Sequence, residues 1–363
     1  MQVAKMQIEN SAVANSCSRM RLISMPKSSL PTLADVARQA NVSTATISRV
    51  LNSPEKVAES TRLKVLSAID ALGYSPNFSA KALVSNRTNT IGAVIPTMDN
   101  AIFARGLQSF QETITPAGVT LLVANSYYNP AIEEQQIRTM IARGADGLLL
   151  IGNTRRNKVY EFLDHRHVPY VIAWNYNRGT SYPCVGFDNT AAAQQLTQLA
   201  VNFGHQNFAL ISAAQKYNDR ARDRITGMKR ALKDAGFTAD KIPVVEVPYT
   251  ITDSGNAFKK IIQNYPDTTI VMCGNDVQAV GAIKMAQSMG IKVPGDISIT
   301  GFDDLEITTI IQPTVTTVHV PHQKMGIKAA EMLLTMMNGE TTKERIKLPT
   351  RIIERESLAA PGK

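Results

Sequence analysis

Ser43, Thr44, Ala45, Thr46, Ser48 and Arg49 fill six of seven consecutive positions with hydroxyls, one methyl and one guanidinium. Side chains this short let a backbone approach the edges of base pairs. Hydroxyls then donate or accept, a methyl meets the thymine methyl, and an arginine forks onto guanine. This is the chemistry of major-groove reading, provided one exposed helix face carries the set.

The flanking residues supply that helix. Thr32 stands as N-cap of a first helix in which Leu33, Val36, Ala37 and Ala40 recur at helical spacing. Asn41 follows, a residue that tolerates the left-handed backbone of a helix end. Val42 fills the gap, and Ser43 caps a second helix, Thr44 to Leu51, with Ile47, Val50 and Leu51 facing inward. A third amphipathic helix runs from Thr61 to Leu72 and stops at Gly73. The pattern is a helix-turn-helix; an ordinary helical hairpin is the plainer alternative. After the breaker Gly73-Tyr74-Ser75-Pro76-Asn77 comes a short helical stretch, Phe78 to Leu83, too short to stand alone. Its exposed Leu83 beside small residues suits a minor-groove wedge.

Charge agrees with this division. Residues 1–88 carry eleven Lys/Arg against five Asp/Glu, whereas the remainder carries twenty-eight against twenty-five. A basic module that binds a polyanion is thus joined to a nearly neutral body. The 363 residues, 44% hydrophobic and 19% charged, suffice for two or three domains with their own cores. Cys17, Cys184 and Cys273 lack metal or redox spacing, which fits a reducing, cytoplasmic compartment. No apolar run approaches the roughly 20 residues of a membrane span. The first thirty residues have no continuous apolar core and read as a disordered tail, not a signal peptide.

TLADVARQANVSTATISRVLN, followed by TRLKVLSAIDALGYSPNFSAKAL, resembles the head and hinge of the lactose-repressor (LacI/GalR) family. The resemblance runs from about residue 31 to the C-terminus. It implies DNA contacts from Thr32, Ser43, Thr44, Ala45, Thr46, Ser48, Arg49, Asn52, Thr61 and Tyr74 in the head. In the hinge it implies Asn77, Ala80, Lys81 and Leu83.

From Thr90 onward strands apolar throughout alternate with helices, twice over, which implies parallel sheets covered on both faces. Two serial α/β units leave a cleft between them, with ligand residues just past the carboxyl ends of strands. Those loops hold Asp99 to Phe103, Asp188-Asn189, Arg220 to Arg224, Asn275-Asp276 and Asp303-Asp304, equipment for a polyhydroxylated or anionic molecule. The family resemblance singles out Phe103, Arg224, Asn275 and Asp303 as effector contacts, with Asp188 and Asn189 near a crossover. It makes Arg224 a charge-assisted anchor in a solvated cleft. Asn275 and Asp304 have a plainer reading as helix caps. Trp174, the sole tryptophan, either stacks on a sugar ring or plugs the interface between subdomains. VGFDN resembles the gluconate-type repressors and points to a sugar acid.

No GxxxxGK[ST], HExxH or GxSxG occurs, so nucleotide hydrolysis, zinc proteolysis and serine-hydrolase chemistry lack their parts. Asp164-His165-Arg166-His167 reads as an exposed helix end, and His205, His319 and His322 as packing or surface; no metal or cofactor is expected. The expected architecture is an all-α helix-turn-helix head with a hinge helix, then an α/β body of two periplasmic-binding-protein-like (Rossmann-like) subdomains. The boundaries are a tail over 1–30, the head over 31–76, the hinge over 77–88 and the body over 89–363. Within the body, one subdomain takes about 89–204 plus 321–349, the other about 205–318 plus 350–358. The function expected is a ligand-responsive repressor of carbohydrate or sugar-acid genes, bound as a homodimer to a pseudo-palindromic operator on bacterial nucleoid DNA. A sugar, sugar acid or phosphosugar releases it, or in a corepressor mode strengthens binding. A solute-binding protein would need an export signal and leaves residues 31–88 unexplained; an enzyme would need a catalytic constellation. The closing segment, with one Leu after Glu356, contains no leucine heptad, so a dimer is expected and not a tetramer.

Overall fold

Thr32 and Asp35 close a reciprocal cap at the start of the first helix, Leu33–Ala40. The Asp35 carboxylate accepts from the Thr32 amide at 2.9 Å while the Asp35 amide donates to the Thr32 hydroxyl. The computed structural model describes residues 30–75, 87–99, 101–176, 179, 181–340, 342 and 344–362, and divides the chain into two units, Met1–Lys81 and Ala82–Lys363. In the first unit Asn41 ends the opening helix at φ 51°, the left-handed conformation its short amide tolerates. Ser43 accepts from the Thr46 amide and opens the second helix, Thr44–Asn52. Val36, Ile47 and Val65 are wholly buried between the three helices. The third helix spans Glu59–Leu72, two residues earlier than the hydroxyl pattern suggests. Ala58 provides no side-chain cap; Val57, packed on the head core, fixes where the chain enters. The hinge positions Asn77, Ala80, Lys81 and Leu83 and the tail to residue 29 lie outside the described residues.

The second unit holds two parallel sheets. The first has the order Thr120–Asn125, Thr90–Ile95, Gly147–Ile151, Tyr170–Ala173, Cys184–Gly186, Arg345–Lys347. The second has the order Val244–Glu246, Phe208–Ser212, Ile270–Cys273, Ser298–Thr300. Thr317–His319 and Arg351–Ile353 form an antiparallel ribbon beside them. The chain therefore leaves the first sheet after Gly186, returns after His319, and leaves again after Lys347. The strand Arg345–Lys347 was not legible in advance, because alternating charge gives it no apolar run.

Helix pairs cover the sheets at close range. Gly326 on the His322–Met337 helix abuts the Gly106 carbonyl of the Ala101–Ile114 helix, and Gly227 abuts the Thr190 carbonyl; a β-carbon at Gly227 or Gly326 would collide with backbone. One apolar cluster runs without a break from Ile91, Leu149 and Trp174 in the first subdomain to Leu210, Met228 and Phe302 in the second. Such burial, at about 25 cal/mol per Å2 of apolar surface, ties the subdomains together beneath the cleft.

Candidate ligand cleft and nucleic-acid interface

On the head, Thr44, Ala45, Ser48 and Arg49 are exposed on the second helix, and Arg49 has no ion pair among the described residues. Thr32 and Ser43 use their hydroxyls in caps, the latter also meeting Thr46 Oγ1 at 2.9 Å. Asn52 Nδ2 donates to the Ser48 carbonyl at 2.9 Å, one turn back. Thr61 sits half-buried in the first turn of the third helix, and Tyr74 packs partly on the head core. The side chains left facing outward are thus a threonine, a methyl, a serine and a guanidinium, the set suited to a groove.

In the body, Arg224, Asn189, Asn275 and Asp303 converge. Arg224 projects from the Asp219–Asp234 helix, whose Gly227 lets it lie close on the Asn189–Asn202 helix. Its Nη2 meets Asp303 Oδ1 at 2.9 Å, Nη1 donates to the Gly274 carbonyl at 2.6 Å, and Nε donates to Asn189 Oδ1 at 3.0 Å. The guanidinium lies 3.8 Å over the Phe302 ring. Asn275 serves twice: Oδ1 caps the Asp276–Ser288 helix at Val277, and Nδ2 donates to Asp303 Oδ2 at 3.1 Å. Asp303 and Asp304 have φ of 109° and 56°, strained for non-glycine residues, and stand at the end of the second sheet. The Val318 carbonyl accepts from the Asp303 amide at 2.9 Å. Asp304 is no helix cap; it pairs with Arg355 at 2.6 Å and His319 at 2.8 Å, across two segments that join the subdomains. Those partners hold the Asp304 carboxyl below its ordinary range although burial pushes the other way.

The expectation of a solvated anchor fails at Arg224. Both Arg224 and Asp303 are almost wholly out of solvent and are paired with each other. Asp188 does not join this group: it caps the Asn189–Asn202 helix at Ala191 and pairs with Lys347 at 3.2 Å. It lines a separate hollow of about 300 Å3 with Tyr176, Asp223 and Arg230. Trp174 is wholly buried within the first subdomain, its indole against Gly106 and 5.5 Å edge-on from Phe103. The surface face that stacking on a sugar would need is covered.

Asp219, Tyr128 and Tyr249 were not singled out in the sequence as site residues, and His322 was not assigned to the site. Asp219, held below its ordinary range against the effect of burial, pairs with Arg220 at 2.8 Å and accepts from Asn175 and the Asn153 amide. Tyr128 and Tyr249 face each other at 6.4 Å, and burial raises both phenols. Tyr249 follows the Val244–Glu246 strand, so the strand-end rule would have found it. His322, read as packing or surface, is buried, and its Nδ1 receives the Trp174 indole N–H at 3.1 Å.

Residues 32–77 match the family of bacterial regulatory proteins of the lacI type, and residues 88–356 match the periplasmic binding proteins and sugar-binding domain of the LacI family. Catabolite control protein A of Priestia megaterium is 33% identical over 327 residues, covering 90% of this chain and 98% of its own. The HTH-type transcriptional regulator GntR of Escherichia coli K12 is 30% identical over 315 residues, covering 87% and 94%. A LacI-family transcriptional regulator from Silicibacter pomeroyi, solved by crystallography, superposes with a TM-score of 0.83 at 25% identity, over 91% of this chain and 99% of its own. The likeness spans head and body together, which removes the solute-binding and enzyme readings. This chain is a ligand-responsive, DNA-binding transcriptional regulator, and it belongs to the LacI family.

Proposed function

We propose that the effector is an uncharged, polyhydroxylated sugar bound at Arg224, Asn275, Asp303 and Asn189, and that it releases the dimer from its operator. One observation carries the choice of an uncharged ligand. Arg224 is paired with Asp303 and Arg220 with Asp219, so neither guanidinium has charge left for a carboxylate or phosphate. A carboxylate or phosphate would have to displace an aspartate, whereas a vicinal diol accepts from the arginine and donates to the aspartate together. A sugar acid, to which VGFDN points, is the second reading. Phe103 and Trp174 shape the wall from behind, and Asp188 serves the helix it caps.

The groups a sugar would engage are already bonded to one another. A ligand that replaces those bonds favours a different arrangement of the subdomains, which supports induction over corepression. In that mechanism the heads read two half-sites through Thr44, Ala45, Ser48 and Arg49. Hinge residues Asn77, Ala80, Lys81 and Leu83 engage the central minor groove. An operator ligand supports work on bacterial nucleoid DNA in the cytoplasm; no helix among the described residues is long and apolar enough to cross a membrane.

The test is a panel of neutral sugars, sugar acids and phosphosugars, titrated into the complex with an operator selected from random DNA. A neutral sugar that dissociates the complex supports the reading. Release by acids or phosphosugars alone, or tighter binding on adding any member, overturns it.

A further inference from the structure

Trp174 and His322 form a buried pair whose polar end has no hydrogen-bond partner among the described residues. The Ala101–Ile114 helix makes room for the indole at Gly106, where any β-carbon would strike the ring. The indole Nε1–H is a donor only, and it points at His322 Nδ1, 3.1 Å away. Nδ1 must therefore accept, which leaves the imidazole proton on Nε2. That Nε2–H is buried, and no acceptor among the described residues meets it with hydrogen-bond geometry. The Asp303 carbonyl acts on the ring as a weak acceptor that falls short of hydrogen-bond geometry, and the Arg224 guanidinium acts against it. A buried donor without an acceptor is unfavourable and rare in native proteins, so a ligand atom is the natural partner.

We propose that His322 is an effector-binding residue, donating Nε2–H to an ether or hydroxyl oxygen of the sugar, and that Trp174 is the positioning residue that fixes its tautomer. The inference rests on the cleft being the sugar site. Burial holds the imidazole neutral well below pH 7, with Arg224 acting in the same direction and Asp303 against it. The donor therefore contributes direction without charge, in keeping with the two neutralised arginines. It selects an acceptor oxygen at one place on the ring, so a sugar lacking that oxygen binds more weakly. The same pair provides the readout: Trp174 is the only tryptophan in the chain, and its indole N–H is bonded to the proposed ligand residue.

The experiment uses the full-length dimer and records Trp174 emission and operator affinity with glucose, galactose, ribose, fructose and cellobiose. His322→Phe keeps a ring and removes the donor, His322→Gln keeps a neutral donor, and Trp174→Phe removes the hydrogen bond that sets the tautomer. For the sugar that acts on the wild type, His322→Phe should weaken binding about tenfold and His322→Gln by no more than about threefold. Trp174→Phe, followed by operator release, should fall between them. Its loss should vanish in the His322→Phe background, an outcome that packing alone would not give. Equal sugar affinity in wild type and His322→Phe overturns this inference alone, as does a His322→Gln protein as impaired as His322→Phe. A wild type that responds to none of the five sugars overturns the reading of the cleft and this inference with it.

Discussion

The guanidinium of Arg224 and the carboxylate of Asp303 meet at 2.9 Å with at most 4% of either side chain exposed. An ion pair so deeply placed has surrendered its hydration, and its stability depends on both members being present. Arg224→Ala therefore destabilises the body by about 3–5 kcal/mol, because Asp303 is left as a buried charge. The double variant Arg224→Met/Asp303→Leu recovers most of that loss, since apolar groups of similar volume need no hydration. Neither protein responds to sugar. Thermal midpoints of Arg224→Met, Asp303→Leu and the double variant check this, and additive losses would contradict the pairing.

His322 also makes stability depend on pH. Its folded pKa is lowered to about 4 by burial, from an unfolded value near 6.5. Above pH 6.5 both states hold a neutral ring and the group has no effect. Between about 6.5 and 4 the unfolded chain binds the extra proton, so stability falls as pH falls, by about 3 kcal/mol in total. His205, lowered by burial as well, acts with the same sign. Asp219 and Asp304, lowered by their partners, extend the loss into more acid solution. Midpoints measured from pH 7 to pH 4 should therefore decline less steeply in His322→Phe than in the wild type. Parallel declines would place the slope elsewhere.

Arg49 is exposed on the outer face of its helix and has no ion pair among the described residues, so Arg49→Ala leaves the head's stability unchanged within about 0.5 kcal/mol. Operator affinity falls by about 1–3 kcal/mol, and preference relaxes at one position in each half-site. Selection from random DNA with both proteins decides it. The same consensus at the same sharpness would mean that Arg49 touches phosphate alone.

The head was legible because its signals are local. Thr32 and Asp35 lie three residues apart, and Asn41 and Ser43 mark a turn through their own backbone preferences. Arg224, Asn275 and Asp303 were reachable by the strand-end rule and the family pattern. That Arg224 spends its charge on Asp303, 79 residues away, was not, because tertiary closure sets that pairing. Asp188 shows the converse: an acid just before a helix has a cap to satisfy, and that local demand prevails. His322 was read only as packing or surface, because an isolated histidine carries no pattern; its packing on the indole, 148 residues earlier, is set by tertiary structure.

Dimer formation needs apolar surface, and the second subdomain exposes Ile310 at 78% and Ile251 at 39%. Ile310→Asp should raise the dimer dissociation constant at least about tenfold, with operator affinity falling in step. Sedimentation of wild type and variant at micromolar concentration gives the answer. An unchanged two-chain species would place the interface on another face.

In the proposed mechanism the Arg224–Asp303 site and the DNA-reading head are energetically coupled. Coupling between two binding events is reciprocal, so it can be measured from either side. The direct measurement is sugar affinity from Trp174 emission, with and without saturating operator, beside operator affinity with and without saturating sugar. Operator should weaken sugar binding by the same factor, at least about fivefold, by which sugar weakens operator binding. A sugar that shifts Trp174 emission with one affinity whether or not operator is bound would contradict it.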